Sequence, residues 1–153
     1  PHLVAFAIGC WLGAESALGA AGIRLRHREL GRQGGLYRTN RPANASEPFS
    51  GPLVVSMRPF IAADIDEVSR ITAAMPLSHG APIHVGSPAA LGIDDLTRTD
   101  WGEPVLPKEG EVPVFWPCGL TALAALQNAD LPFFIMHAPG SMLVTDLKEV
   151  FRP

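Results

Sequence analysis

The chain of 153 residues predicts one mixed α/β unit, a mixed sheet with helices packed on it, over residues 1–153. Three observations carry that prediction. Short apolar runs at 53–57, 83–85, 112–116, 133–136 and 142–145 alternate with stretches whose apolar residues recur at helical spacing. Hydrophobic residues make up 47% of the chain and charged ones 18%, enough to bury one core. Gly and Pro supply 15 each, yet they form no G-X-Y period or polar tract, which excludes collagen and long disorder.

The first element is expected to be a buried helix over residues 3–20. Its apolar run, Leu3 to Ala14, spans 12 residues before Glu15, short of the roughly 20 that a spanning helix needs. No Lys or Arg precedes it, so it lacks the basic start of a signal peptide. Ile23, Leu25 and His27 then alternate with Arg24, Arg26 and Arg28, which predicts a half-buried strand with a basic outer face. Gly31, Gly34 and Gly35 mark a turn. Leu53 to Met57 reads as a buried strand between Gly51-Pro52 and Pro59. Ile61, Ile65, Val68, Thr72 and Met75 follow at helical spacing, with Asp64, Asp66 and Glu67 at the end where the helix dipole favours acids and Pro76 as the stop. With a strand at 83–85, residues 53–85 predict a βαβ unit. Residues 87–110 read as surface loop with one short helix, 112–116 as a strand, 121–128 as an Ala/Leu-rich helix, and 133–136 and 142–145 as two last strands.

Twelve basic side chains against 15 acidic ones give a net charge of −3, which argues against nucleic acid as the main partner. Six of the ten arginines lie between Arg24 and Arg41 against one acid, Glu29, and read either as a solvated face or as an anion-attracting rim. Cys10 and Cys118 are too few for a disulfide scaffold and point to a reducing, cytoplasmic setting. No membrane partner is expected.

Three segments run from an apolar strand into a small-residue turn bearing a reactive side chain: His79-Gly-Ala-Pro-Ile-His84-Val-Gly, Val114-Phe-Trp-Pro-Cys118-Gly and Ile135-Met-His137-Ala-Pro-Gly140. They nominate one site beyond the strand ends. Cys118 precedes a predicted helix N-terminus, where N–H groups and the dipole favour a thiolate, or it is an inert core thiol. His79 and His84 stand five apart around Pro82, which excludes a helical zinc pair; with His137 they could hold a divalent metal, or each could bond to backbone. His2 and His27 read as structural or surface residues. Arg38, beside Tyr37, Thr39 and Asn40, and Arg58, at a strand end, suit bidentate capture of a carboxylate or a structural ion pair. Asp146 could orient a histidine or cap a helix. Glu15 in an apolar helix must meet an arginine or serve the site.

Gly9-Cys10 with Glu15, Tyr-Arg-Thr-Asn at 37–40, Gly-Pro-Leu-Val-Val-Ser-Met-Arg-Pro at 51–59, His-Gly-Ala-Pro-Ile-His at 79–84, Pro-Val-Phe-Trp at 113–116 with Cys-Gly at 118–119, and His-Ala-Pro-Gly with Met-Leu-Val-Thr-Asp at 137–146 together resemble the D-glutamate cyclase family, many of whose members bear only a hydro-lyase name. Ser141, Pro117 and Ala122-Leu123 depart from that pattern. The chain resembles roughly the C-terminal three-fifths of the family's length, which fits its start at Pro1. The resemblance implies a lyase that expels water from a small amino or hydroxy acid, such as D-glutamate closing to 5-oxo-D-proline. It implies Arg58 and Arg38 on the carboxylates, with Asn40, His79, Asp146 and Glu15 in the binding set. His84 or His137 would remove the amine proton, and Cys118 or the other histidine would protonate the leaving oxygen. No cofactor is expected beyond a possible divalent metal at His79, His84 and His137. A homo-oligomer, or a partner chain supplying a family N-terminal segment, fits equally. The competing expectation is a non-catalytic module that binds a small carboxylate or a metal.

Overall fold

The computed structural model describes residues 3–146; His2 lies outside them. Four strands form one sheet in the order β1-β2-β4-β3: β1 is Leu36–Pro42, β2 Pro52–Ile61, β3 His84–Val85 and β4 Glu111–Pro117. Every ladder is antiparallel. Four helices accompany it: α1 at Glu15–Ala20, α2 at Arg26–Glu29, α3 at Ile65–Ala73 and α4 at Leu120–Asn128. The mixed α/β class expected from the sequence is the one observed. Among the described residues no helix is long and apolar enough to cross a membrane.

Alternation along β2 and β4 sorts the core into two faces. Phe60, Val114 and Trp116 pack against Trp11, Leu18, Val68 and Ile71, so α1 and α3 cover one end of the first face. Val54 on the same face packs under Leu120 and Ala124 of α4. Val55, Met57 and Phe115 point the other way, toward Tyr37, Leu91 and Ile93. The period of two in a strand thus supplies both layers from a few residues.

Several expectations are corrected. Helix begins only with a short 3-10 turn at Trp11–Ala14, and the preceding tract is irregular, with Leu3, Val4, Phe6 and Ile8 exposed. The backbone at Gly9 lies so near Leu77 that a Cβ there would sit 1.6 Å from the Leu77 carbonyl oxygen, so the run reaches the core only at Trp11. The basic strand at 23–28 is a buried Ile23 and Leu25 leading into the single turn α2. Arg26 is 5% exposed, with Glu111 and the Leu106 carbonyl as partners, and His27 is 2% exposed against Glu15. Those partners override the alternating pattern. The βαβ expectation is also modified: β2 and β3 run the same way, but β4 lies between them. Residues 133–136 and 142–145 form no strand; Phe133, Phe134, Ile135, Leu143 and Val144 are exposed and extend neither sheet edge, and an apolar run without a ladder for its backbone is not a strand.

Candidate functional site

The first face of β2 reads Val54, Ser56, Arg58, Phe60, so two polar side chains separate two apolar ones. Ser56 stands opposite Leu36 and Trp116 in the ladders, and Arg58 opposite Val114. This polar pair lies at the seam between the Phe60 cluster and the Val54 cluster. Trp11 closes the seam from the first cluster, with its ring centroid 4.8 Å from the Arg58 guanidinium carbon. Cys118 approaches from the second, packed against Val54, Leu120 and Ala124. On the β1 side the chain enters as Gly34-Gly35: Gly34 has a φ of 88°, and a Cβ there would lie 2.5 Å from Arg58 Nη1. Only glycine leaves space for the guanidinium.

Arg58 is 3% exposed. Its Nη1 donates to the Met57 carbonyl oxygen at 2.8 Å, and its Nε has no partner among the described residues. No carboxylate among the described residues lies within ion-pair distance of it. Burial pushes its pKa down to about 10, against the pull of Glu15, Cys10, Cys118 and Tyr37. Ser56 Oγ and Trp11 Nε1 are likewise buried without a hydrogen-bond partner among the described residues. Buried donors left unpaired are rare in native folds, and three of them belong to residues along this one seam.

The flanking groups are set by the same burial. The Cys118 thiol is pushed up by desolvation and by Cys10, which outweigh the Leu120 N–H and Arg58, so it stays protonated near neutral pH. The N-terminus of α4 therefore does touch Cys118 as the sequence suggested, but burial prevails over it. His27 Nε2 and Glu15 Oε1 lie 2.6 Å apart, and Arg28 Nε stands 3.6 Å from Glu15 Oε2. Burial lowers the His27 pKa, the Glu15 bond opposes that, and Arg58 adds to the lowering. Glu15 thus meets a histidine and an arginine, as a carboxylate in that position must.

The structure does not gather the other expected residues around Arg58. His84 lies on the opposite sheet face, its ring 5.7 Å from that of Phe115, and its Nε2 donates to the Ser87 carbonyl at 2.8 Å. His137 is exposed, and its Nδ1 donates to the Ala138 carbonyl at 2.8 Å. His79 is half-buried with a φ of 75°. Among the described residues no three His, Cys, Asp or Glu side chains come close enough to share a metal. Asn40, beside Gly92, and Asp146 are exposed. Arg38 pairs with Val54 in the ladder, four residues or about 13 Å along β2 from Arg58. Its guanidinium lies over Trp101 at 4.8 Å, and it lines two open clefts of about 200 and 220 Å³.

Sequence reasoning missed Cys10, Trp11, Ser56 and His27 as neighbours of the seam. The signal for Ser56 was present, since residues two apart in a strand share a face. Cys10 stood in the quoted Gly9-Cys10 block, but nothing local ties it to residue 118.

Against this geometry, a family model described as D-glutamate cyclase matches residues 4–146. The chain belongs to the D-glutamate cyclase family. Relatives named "Putative hydro-lyase" include one from Methylobacterium radiotolerans, 53% identical over 145 residues, which cover 95% of this chain and 54% of that protein. One from Rubrobacter xylanophilus is 51% identical over 147 residues, 96% and 57% of the two chains. A third, from Pseudomonas aeruginosa, is 51% identical over 143 residues, 94% and 54%. The chain spans about half the length of these relatives.

Proposed function

We propose that the protein acts as a lyase of the hydro-lyase or D-glutamate cyclase type, expelling water from a small amino or hydroxy acid, with D-glutamate closing to 5-oxo-D-proline as the leading substrate. The observation that carries this reading is Arg58, a buried guanidinium with an unpartnered Nε at a seam that also holds a protonated thiol. A carboxylate is a poor electrophile until its charge is neutralised, and a buried guanidinium does that far better than one in water. The departing oxygen needs a proton, and burial keeps one on Cys118. Ser56 Oγ and Trp11 Nε1 offer further donors to the acid's oxygens. Family membership and the names of the relatives support the reaction class. Arg38, His84, His137, His79, Asn40 and Asp146 remain proposed members of the set, to be ranked by substitution.

The test follows loss of D-glutamate and of small hydroxy acids by mass spectrometry, in this chain and in the longer Methylobacterium relative carrying matched substitutions. Arg58→Met is expected to abolish turnover, and Cys118→Ser to lower it by about 10²–10⁴, the usual contribution of a positioned proton donor. Turnover unchanged in both variants overturns the assignment. Retention of the acid without any turnover in either protein instead supports the non-catalytic binding module.

A further inference from the structure

Resting on the proposed lyase reading, we infer that His27 is a positioning residue of the site: held by Glu15, its ring sets the Trp11 indole against Arg58 and so sets the direction in which Arg58 offers its unpaired Nε. Each link in that series is a side-chain contact. His27 Nε2 and Glu15 Oε1 lie 2.6 Å apart, and Arg28 Nε stands 3.6 Å from the other Glu15 oxygen. The His27 and Trp11 rings meet edge to face, with centroids 5.5 Å apart and 65° between their planes. The Arg58 guanidinium carbon lies 4.8 Å from the centroid of the same indole. Trp116 is the third neighbour of that indole, at 5.2 Å, and is itself fixed by a bond from its Nε1 to Thr72 Oγ1 at 3.3 Å.

Ring contacts decide the orientation here because hydrogen bonds do not. Trp11 Nε1 has no hydrogen-bond partner among the described residues, so the rings packed against the indole set its turn. Arg58 has one hydrogen bond among the described residues, from Nη1 to the Met57 carbonyl. A single bond leaves the guanidinium plane free to turn about it, and the indole face fixes that plane. An apolar side chain would fill position 27 at lower cost, since His27 is 2% exposed and burial lowers its pKa. What histidine adds is the bond to Glu15, which holds the ring in one rotation. Glu15, placed by the family resemblance in the binding set, then acts through His27, with its oxygens given to His27 and Arg28. A reacting group misplaced by about 1 Å can lose about 100-fold in rate, so a fixed guanidinium plane is worth this support.

The test uses the intact chain, with turnover of D-glutamate measured in it and in the longer Methylobacterium relative carrying matched substitutions. The Arg58 Nε–Hε signal, identified by its loss in Arg58→Met, is followed in a proton–nitrogen correlation spectrum. His27→Phe keeps a ring at position 27 but drops the bond to Glu15, and Glu15→Met drops the same bond while leaving His27 in place. Both are expected to displace the Arg58 signal and to lower kcat about tenfold or more with KM within threefold, under conditions where urea unfolding shows each variant folded. Trp11→Leu is expected to do the same. Because His27 acts through Trp11, adding His27→Phe to Trp11→Leu should lower kcat no further than twofold, whereas two independent structural losses would multiply. An Arg58 signal that stays in place in the folded His27→Phe or Glu15→Met chain, a kcat within twofold of the original in either, or losses that multiply in the double variant each overturn the inference and leave the lyase reading standing. If Arg58→Met retains turnover, or neither protein turns D-glutamate over, the lyase reading falls and takes the inference with it.

Discussion

Replacing Arg58 by methionine should make the fold more stable while removing its chemistry. Burial drives the Arg58 pKa from the ordinary arginine value to about 10. At about 1.4 kcal/mol per pH unit, that corresponds to about 3 kcal/mol set against the charged form at neutral pH. Methionine, of similar length, carries no such penalty. The substitution forfeits the bond from Nη1 to the Met57 carbonyl, about 1 kcal/mol, and the stacking on Trp11, about 1 kcal/mol. The balance is a gain of about 1 kcal/mol, within the range seen when buried charges give way to apolar side chains. Urea unfolding followed by tryptophan fluorescence reads it directly, since Trp11 and Trp116 sit 5.2 Å apart in the affected cluster. The sign can also be checked with pH. A cation whose folded pKa is depressed to about 10 is released from its penalty as pH rises past that value, so Arg58 adds stability on the alkaline side. Tyr37, pushed up to about 12 by burial, acts oppositely: its unfolded form ionises first, so stability falls as pH climbs from 10 toward 12. The original chain holds both slopes, and Arg58→Met should show the falling one alone. A destabilisation of about 3 kcal/mol, the size expected on breaking a buried ion pair, would refute the account of Arg58 as an unpaired cation.

Other perturbations test the surroundings. His27, with a pKa lowered by burial, should withdraw stability as pH falls below its unfolded value, so the urea midpoint should drop between pH 7 and 5 and drop less in His27→Gln. Gly34→Ala places a methyl group 2.5 Å from Arg58 Nη1 at a φ of 88°, and should cost about 1–2 kcal/mol in urea unfolding and at least tenfold in turnover. Arg26→Met removes the charged partner of the half-buried Glu111 carboxylate, leaving it the Lys108 N–H, and should destabilise the chain by about 3 kcal/mol, a larger loss than any substitution of the exposed Arg24 produces.

The sequence carried what depends on local period and lost what depends on distant partners. The strand at 53–57, the helix over α3, the strand at 112–116 and the helix over α4 all rest on periodic apolar residues with proline or glycine stops, and each is present. The strand proposed at 23–28 failed although its alternation was as good as any, because the buried Arg26 and His27 find half-buried carboxylate partners 85 and 12 residues away. The runs at 133–136 and 142–145 have strand composition but no edge to pair with. At the site, Cys118 was legible because it follows directly on a strand, whereas Arg58, expected at a strand end, lies inside β2, which continues through Ile61. Cys10 and Trp11 were not, because only the folded chain brings residues near position 10 against Gly119.

Burying the Arg58 cation costs about 3 kcal/mol before its bond and its stacking offset part of it, set against a stability that rarely exceeds about 15 kcal/mol. Structural economy would put a methionine or leucine between Val54 and Phe60, continuing the apolar stripe on either side. The unpaired Ser56 Oγ and Trp11 Nε1 on the same seam argue likewise, since each forgoes a hydrogen bond it would have in water. On the proposed reading, a small anion reaching these donors would relieve that cost, and its affinity would draw on it. A carboxylate acid that binds there should therefore raise the unfolding midpoint of the original chain and leave that of Arg58→Met in place. A midpoint that rises equally in both would locate the acid at another surface, with the Arg38 clefts as the first to examine.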